Sequence, residues 1–128
     1  MTTSRDTRNP IAAAMTEDRG PDSLDAHVRR LIKDLGLWGF HVEKSLNEDT
    51  GRTNVSRKGW PDWTILGSKA LFRELKTETG RLTTAQKDCL TRLAAAGEDA
   101  GVWRPSMLLS GQIARELAAI SGIQARVA

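Results

Sequence analysis

Apolar and polar positions along the chain alternate between two periods. Over residues 23–37, Leu24, Val28, Leu31, Leu35 and then Trp38 recur at spacings of four and three, which makes one apolar stripe of a helix. Asp22 is a good N-cap with Pro21 before it, and Gly36 and Gly39 weaken and end the helix. Residues 40–46 alternate apolar Phe40 and Val42 with polar neighbours, the pattern of a strand. Residues 47–58 have no period and are rich in Gly, Asn, Ser and Thr, so they read as a long loop. Trp63, Thr64, Ile65 and Leu66 suit a buried strand, Gly67 and Ser68 a turn, and residues 70–77 the returning strand. Residues 83–97 read as a second helix with Cys89, Leu90, Leu93 and Ala96 on its apolar face and Gly97 as its stop. A short strand over 100–104, ended by Pro105, precedes a last helix over 110–121 with Ile113, Leu117 and Ile120 in line.

The predicted order is therefore αβββαβα. Strand, helix, strand implies a parallel pair joined by a right-handed crossover. The expected fold is α/β, a small mixed sheet with the first helix on one side and the second on the other. The 128 residues suffice for one domain, placed at 21–122. Residues 1–20 read as a flexible polar tail, helical around Ile11, and 123–128 as a C-terminal tail.

Charge narrows the classes of partner. Nineteen Lys and Arg against 16 Asp and Glu give a net +3, which suits a polyanion. Cys89 is the sole cysteine, so no intrachain disulfide and no Cys-based zinc site can form, and a reducing cytoplasm is the expected compartment. No apolar run approaches the ~18 residues of a membrane span, and residues 11–15 are too short for a signal-peptide core. No glycine motif for a nucleotide cofactor is present. His27 and His41 are not at metal-ligand spacing with the cysteine, and His27 reads as a core residue on the first helix.

The chemistry concentrates in residues 59–76, GWPDWTILGSKALFRELK. Pro61 lacks a backbone donor and belongs at a strand start, which puts Asp62 at the strand entry. On the returning strand Phe72, Glu74 and Lys76 share one face, and Arg73, Leu75 and Thr77 the other. If the two strand ends pair, Asp62 joins Glu74 and Lys76. Two carboxylates and an ammonium on such a scaffold can hold a divalent cation beside a water.

Gly59-x-Pro61-Asp62 followed by Glu74-Leu75-Lys76-Thr77 resembles the PD-(D/E)XK nuclease superfamily. With Gly80-Arg81-Leu82-Thr83 and Gln86-Lys87 added, the string is similar to its VRR-NUC branch, found in phages and as stand-alone bacterial proteins. The resemblance covers residues 22–120. It implies a restriction-endonuclease-like core and a Mg²⁺-dependent DNA endonuclease, with Mn²⁺ able to substitute. Asp62 and Glu74 would be the ligands, with the Leu75 carbonyl between Glu74 and Lys76, and Lys76 would orient or deprotonate water.

The family often carries an acidic residue on the first helix, and Asp25 is matched to it. A capping role for Asp25 at the helix start is the competing reading. Gln86 likewise points toward the site or completes a capping box with Thr83, and one rotamer is expected to do one or the other. Similar proteins resemble junction-resolving enzymes and act as homodimers. A four-way DNA junction in a bacterial or phage-infected cell is the substrate expected here. The last helix, or Trp103 nearby, is one reading of the dimer interface, and the favoured reading is that Ile113, Leu117 and Ile120 cover the sheet. The other reading is a non-catalytic nucleic-acid-binding module on the same fold.

Phosphate contact is one reading of Arg52, Arg57 and Lys58, a solvated charge cluster the other, and Lys87 is placed with them among the nucleic-acid contacts. Trp60, beside Asp62, is the tryptophan assigned to nucleic acid, and core packing is expected of Trp38, Trp63 and Trp103.

Overall fold

The computed structural model describes residues 9–42, 45–47, 52–54 and 58–122. In chain order the elements are α1 (Pro10–Ala14), α2 (Leu24–Asp34), β1 (Trp38–His41), β2 (Ser45–Asn47), β3 (Arg52–Asn54), β4 (Trp63–Leu66), β5 (Ala70–Leu75), α3 (Thr84–Ala95), β6 (Asp99–Trp103), α4 (Pro105–Leu109) and α5 (Gln112–Ser121). One mixed sheet runs β1-β4-β5-β6, and β2 and β3 form a separate antiparallel pair. β1 and β5 each pair antiparallel to β4, whereas β6 lies parallel to β5. None of the described helices is long and apolar enough to cross a membrane.

The strand alternation sorts β5 between two faces. Leu71 and Leu75 join Leu24, Val28 and Ile32 of α2, Trp63, Ile65, Trp103, and Ile113, Leu117 and Ile120 of α5 in one apolar core. Phe72, Glu74 and Lys76 face the other way, toward α3, where Gln86 reaches Glu74. Gly59, at φ +86°, lies so close to the start of α3 that a Cβ there would overlap the Ala85 carbonyl.

Several boundaries differ from the sequence reading. Ser23, not Asp22, caps α2: its hydroxyl accepts from the Ala26 amide, and no box with Asp25 forms. Trp38 is not on the helical stripe. Gly36, at φ +68°, turns the chain, and Trp38 opens β1 with its side chain exposed. The stretch expected as loop after residue 46 contains β3. On α3 the buried residue is Cys89, while Leu90 and Leu93 are half-buried and Ala96 is exposed. Pro105 does more than end β6, since it opens α4, where its fixed φ and missing amide suit a first helical turn.

Residues 9–20, read from the sequence as part of a tail, are packed. Asn9 caps α1, Ala12 is buried, and Met15 lies against the core. The Leu24 and Asp25 amides donate to the Thr16 and Glu17 carbonyls at 2.9 Å each, so this stretch satisfies donors that the start of α2 leaves open. Trp103 and Ile113, Leu117 and Ile120 of α5 are core residues, as the favoured reading expected, and not a dimer surface.

Arg73 is the charged member of the core face. Its guanidinium donates to Asp99 Oδ1 at 2.8 Å and Glu116 Oε1 at 3.0 Å, and lies 5.3 Å from the Trp103 ring centroid. Glu116 also accepts from Trp103 Nε1 at 2.9 Å. Arg73→Met keeps the stem and removes the charge, leaving Glu116 and Asp99 without their buried cation. We expect a loss of about 3 kcal/mol, the low end for a broken buried pair because both acids keep some contact with water. Urea unfolding measures it.

Candidate active site

Asp62 stands just before β4, and Pro61 beside it is buried and lacks an amide hydrogen. The ladder is closed there by Asp62 itself. Its carbonyl accepts from the Val42 amide at 2.9 Å, and its Oδ2 accepts from the Leu75 amide at 2.7 Å. The two strand ends are thereby held side by side, and Asp62 and Glu74 fall on the same face.

Both carboxylates are withdrawn from water, Asp62 at 7% exposure and Glu74 at 1%. Each of Asp62, Glu74 and Glu17 presents an oxygen within 4.8 Å of the others. Like charges this close repel unless something offsets them. Nearby donors include the Leu75 amide on Asp62, Lys76 Nζ, 3.9 Å from Glu74 Oε2, and Gln86 Nε2, which donates to the same oxygen at 3.0 Å. An all-oxygen donor set of three acids fits a hard divalent cation.

Glu17 was not a candidate from the sequence. It belongs to no periodic element, and it reaches the site because its carbonyl is tied to the Asp25 amide at the start of α2. Asp25, matched above to the family's helical acid, lines the same cleft of about 200 Å³ with Glu17, Asp18, His41, Val42, Asp62 and Leu75. It is not part of the three-acid group. Its Oδ1 accepts from Trp63 Nε1 at 2.9 Å and pairs with His41 Nε2 at 3.3 Å, and its Oδ2 accepts from Arg29 at 3.2 Å. These contacts hold the Asp25 carboxylate against Trp63, His41 and Arg29 at the edge of that cleft.

Gln86 corrects the expectation that one rotamer must choose between cap and site. Its Oε1 accepts from the Thr83 amide at 2.8 Å and completes the capping box, while its Nε2 holds Glu74. The two ends of the amide do different work in one conformation, so α3 is capped and docked by the same side chain.

The residues assigned to nucleic acid are less concentrated. Lys58 and Lys87 are exposed. Trp60 is partly exposed, its ring edge-on to Phe72 at 6.0 Å. Arg52 begins β3, and Arg57 lies outside the described residues.

Burial works against ionisation of Asp25, but hydrogen bonds from His41, Trp63 and Arg29 outweigh it and hold the carboxyl at about 2, below its usual 3.8. A depressed carboxyl contributes stability that is complete above the unfolded-state value and disappears as pH falls through the folded-state value. Asp25 should therefore contribute stability above roughly pH 4 that is lost toward pH 2. Urea midpoints measured across that window should fall for the wild type and much less for Asp25→Asn, which starts less stable at neutral pH.

No family model, curated protein or solved structure matches the chain in comparisons with known proteins.

Proposed function

We propose that the chain is a divalent-metal-dependent DNA endonuclease with a restriction-endonuclease-like core, similar to VRR-NUC proteins. The observation that carries this reading is the convergence of Glu17, Asp62 and Glu74 beside Lys76 at paired strand ends. The element order supports it at the level of fold class, a four-stranded mixed sheet β1-β4-β5-β6 with α2 before it and α3 between β5 and β6.

Mg²⁺ or Mn²⁺ held by Glu17, Asp62 and Glu74 would polarise a phosphodiester and acidify a water. Lys76, half-buried beside Glu74, would orient that water and offset negative charge gathering on the phosphate. Gln86 fixes the rotamer of Glu74, and the Leu75 amide fixes that of Asp62. The resemblance would have the Leu75 carbonyl serve as a further ligand, and Leu75 lines the same cleft as Glu17 and Asp62. Arg52, Arg57, Lys58 and Lys87 are proposed to neutralise the DNA backbone. Paired cuts at a four-way junction need two sites related by symmetry, which a homodimer supplies.

Glu74→Gln and Asp62→Asn keep shape and remove a ligand's charge. Cleavage should fall by orders of magnitude while DNA binding survives or tightens, because repulsion of phosphate drops. Glu17→Gln should behave the same way, which tests the ligand not anticipated from sequence. Lys76→Ala should retain metal binding by calorimetry and lose turnover. Wild-type rates in Mg²⁺ from either Glu74→Gln or Asp62→Asn would remove this site from the mechanism. DNA binding with no cleavage in any divalent metal would leave a binding module.

A further inference from the structure

The aromatic residues divide between the two faces of the sheet. The chain has four tryptophans, two phenylalanines and no tyrosine. Trp63 and Trp103 are buried in the core. Trp38, Phe40 and Phe72 point to the opposite face, and Trp60 packs edge-on against Phe72. α3 covers the β5–β6 side of that face, through Gln86 on Glu74 and its packing against β6. The β1–β4 side is open: Trp38 is 70% exposed and Phe40 54%, with Leu66 also exposed beside them. The two rings meet edge to face at 6.5 Å.

Strand register places this patch against the acidic site. Phe40, Thr64 and Phe72 form one cross-strand row, and Trp38, Leu66 and Ala70 the next. The Val42 amide's bond to the Asp62 carbonyl continues the ladder the other way, so Asp62 and Glu74 fall in the adjoining row. At ~3.3 Å per residue the two aromatic rows lie about 7 and 13 Å from the carboxylates, on the same face. Cations border the site end: Lys76 follows Glu74 on this face, and exposed Lys58 precedes Trp60 by two residues.

We propose that this open aromatic face is a stacking platform for the unpaired bases of single-stranded DNA, which leads the strand's backbone to the acidic site. Flat π-faces accept any base, and a neighbouring cation for the phosphates is the pairing that single-strand binders use. A second copy of this chain is the competing occupant, because β1 pairs with β4 alone among the described residues and leaves an edge. Area argues against it. With aromatic side chains of ~150–250 Å² each, the exposed parts of Trp38, Phe40, Leu66 and Trp60 amount to only a few hundred Å². A stable interface needs about 800 Å² per partner. Placing a scissile bond at Glu74 rests on the nuclease reading, whereas binding to the face does not.

The test is fluorescence anisotropy of a labelled oligothymidylate of about 12 nucleotides, within the ~4–16 of known single-strand sites. The full chain is used with chelator present. Trp38→Ala and Phe40→Ala should each weaken binding roughly fivefold to a hundredfold. Trp38→Phe and Phe40→Trp should retain it, and duplex binding should not change. Unfolding midpoints verify that the exposed substitutions leave the fold intact. Equal affinity of the alanine variants and wild type overturns the platform, as does an equal loss on duplex. So does a wild-type dimer, by light scattering, that becomes monomeric in either alanine variant, since a second copy then occupies the face. Cleavage is scored separately in Mg²⁺. Lost single-strand binding in a protein that never cleaves keeps the platform and rejects the nuclease, and normal cleavage with unchanged binding does the reverse.

Discussion

The hydrogen bond from the Leu75 amide to Asp62 Oδ2, buried and 2.7 Å long, sets the geometry on which the site depends. Pro61 cannot donate at this point in the ladder, so one backbone hydrogen bond between the ends of β4 and β5 is missing. A side-chain carboxylate takes that place. Because the same residue's carbonyl also accepts from Val42, Asp62 fixes the ends of three chain segments together. Its position is then set by backbone, not by its own rotamer freedom. That is what a carboxylate needs if it is to stand near Glu74 and Glu17 without drifting away from their repulsion.

β5 carries core packing and the acidic group on alternate residues. Leu71, Arg73 and Leu75 face the core, where Arg73 joins Asp99 at the start of β6 to Glu116 on α5. Phe72, Glu74 and Lys76 face the other side. A shift of β5 by one residue would bury Glu74 in the apolar core and expose Arg73's partners, so the register is strongly specified. The buried ion pair on one face thereby fixes where the acids lie on the other. Gln86 adds a second lock, since the rotamer that caps α3 is the rotamer that holds Glu74.

Much of this was legible in the sequence. The aromatic, β-branched and apolar run of residues 63–66 located β4, the Pro-Asp and Glu-x-Lys spacing located the paired strand ends, and the strand-helix-strand order located the parallel pair. The failures have physical causes. Trp38 follows Leu35 by three residues, so it extends the helical stripe by arithmetic, yet the positive φ of Gly36 had already turned the chain. The capping box of α3 was visible, but an amide has two ends, and spacing alone does not show that its nitrogen can reach another element. β3 has three residues and no apolar alternation to reveal it.

Glu17 shows a different limit. No period or turn signal marks it, and the contact that places it is made by its backbone, not its side chain. The start of a helix always offers unpaired amides, and a preceding segment can satisfy them by folding back. Here the Thr16 and Glu17 carbonyls do so, and an acid from outside the periodic core is carried to Asp62 and Glu74. Asp25 takes part twice. Its amide holds Glu17, and its carboxylate holds Trp63, the core residue one position after Asp62. The acid that the family pattern would place on the first helix and the acid that completes the cluster are thus different residues. They are joined by one backbone bond, and the helix contributes to the site through the chain that packs on its first turn.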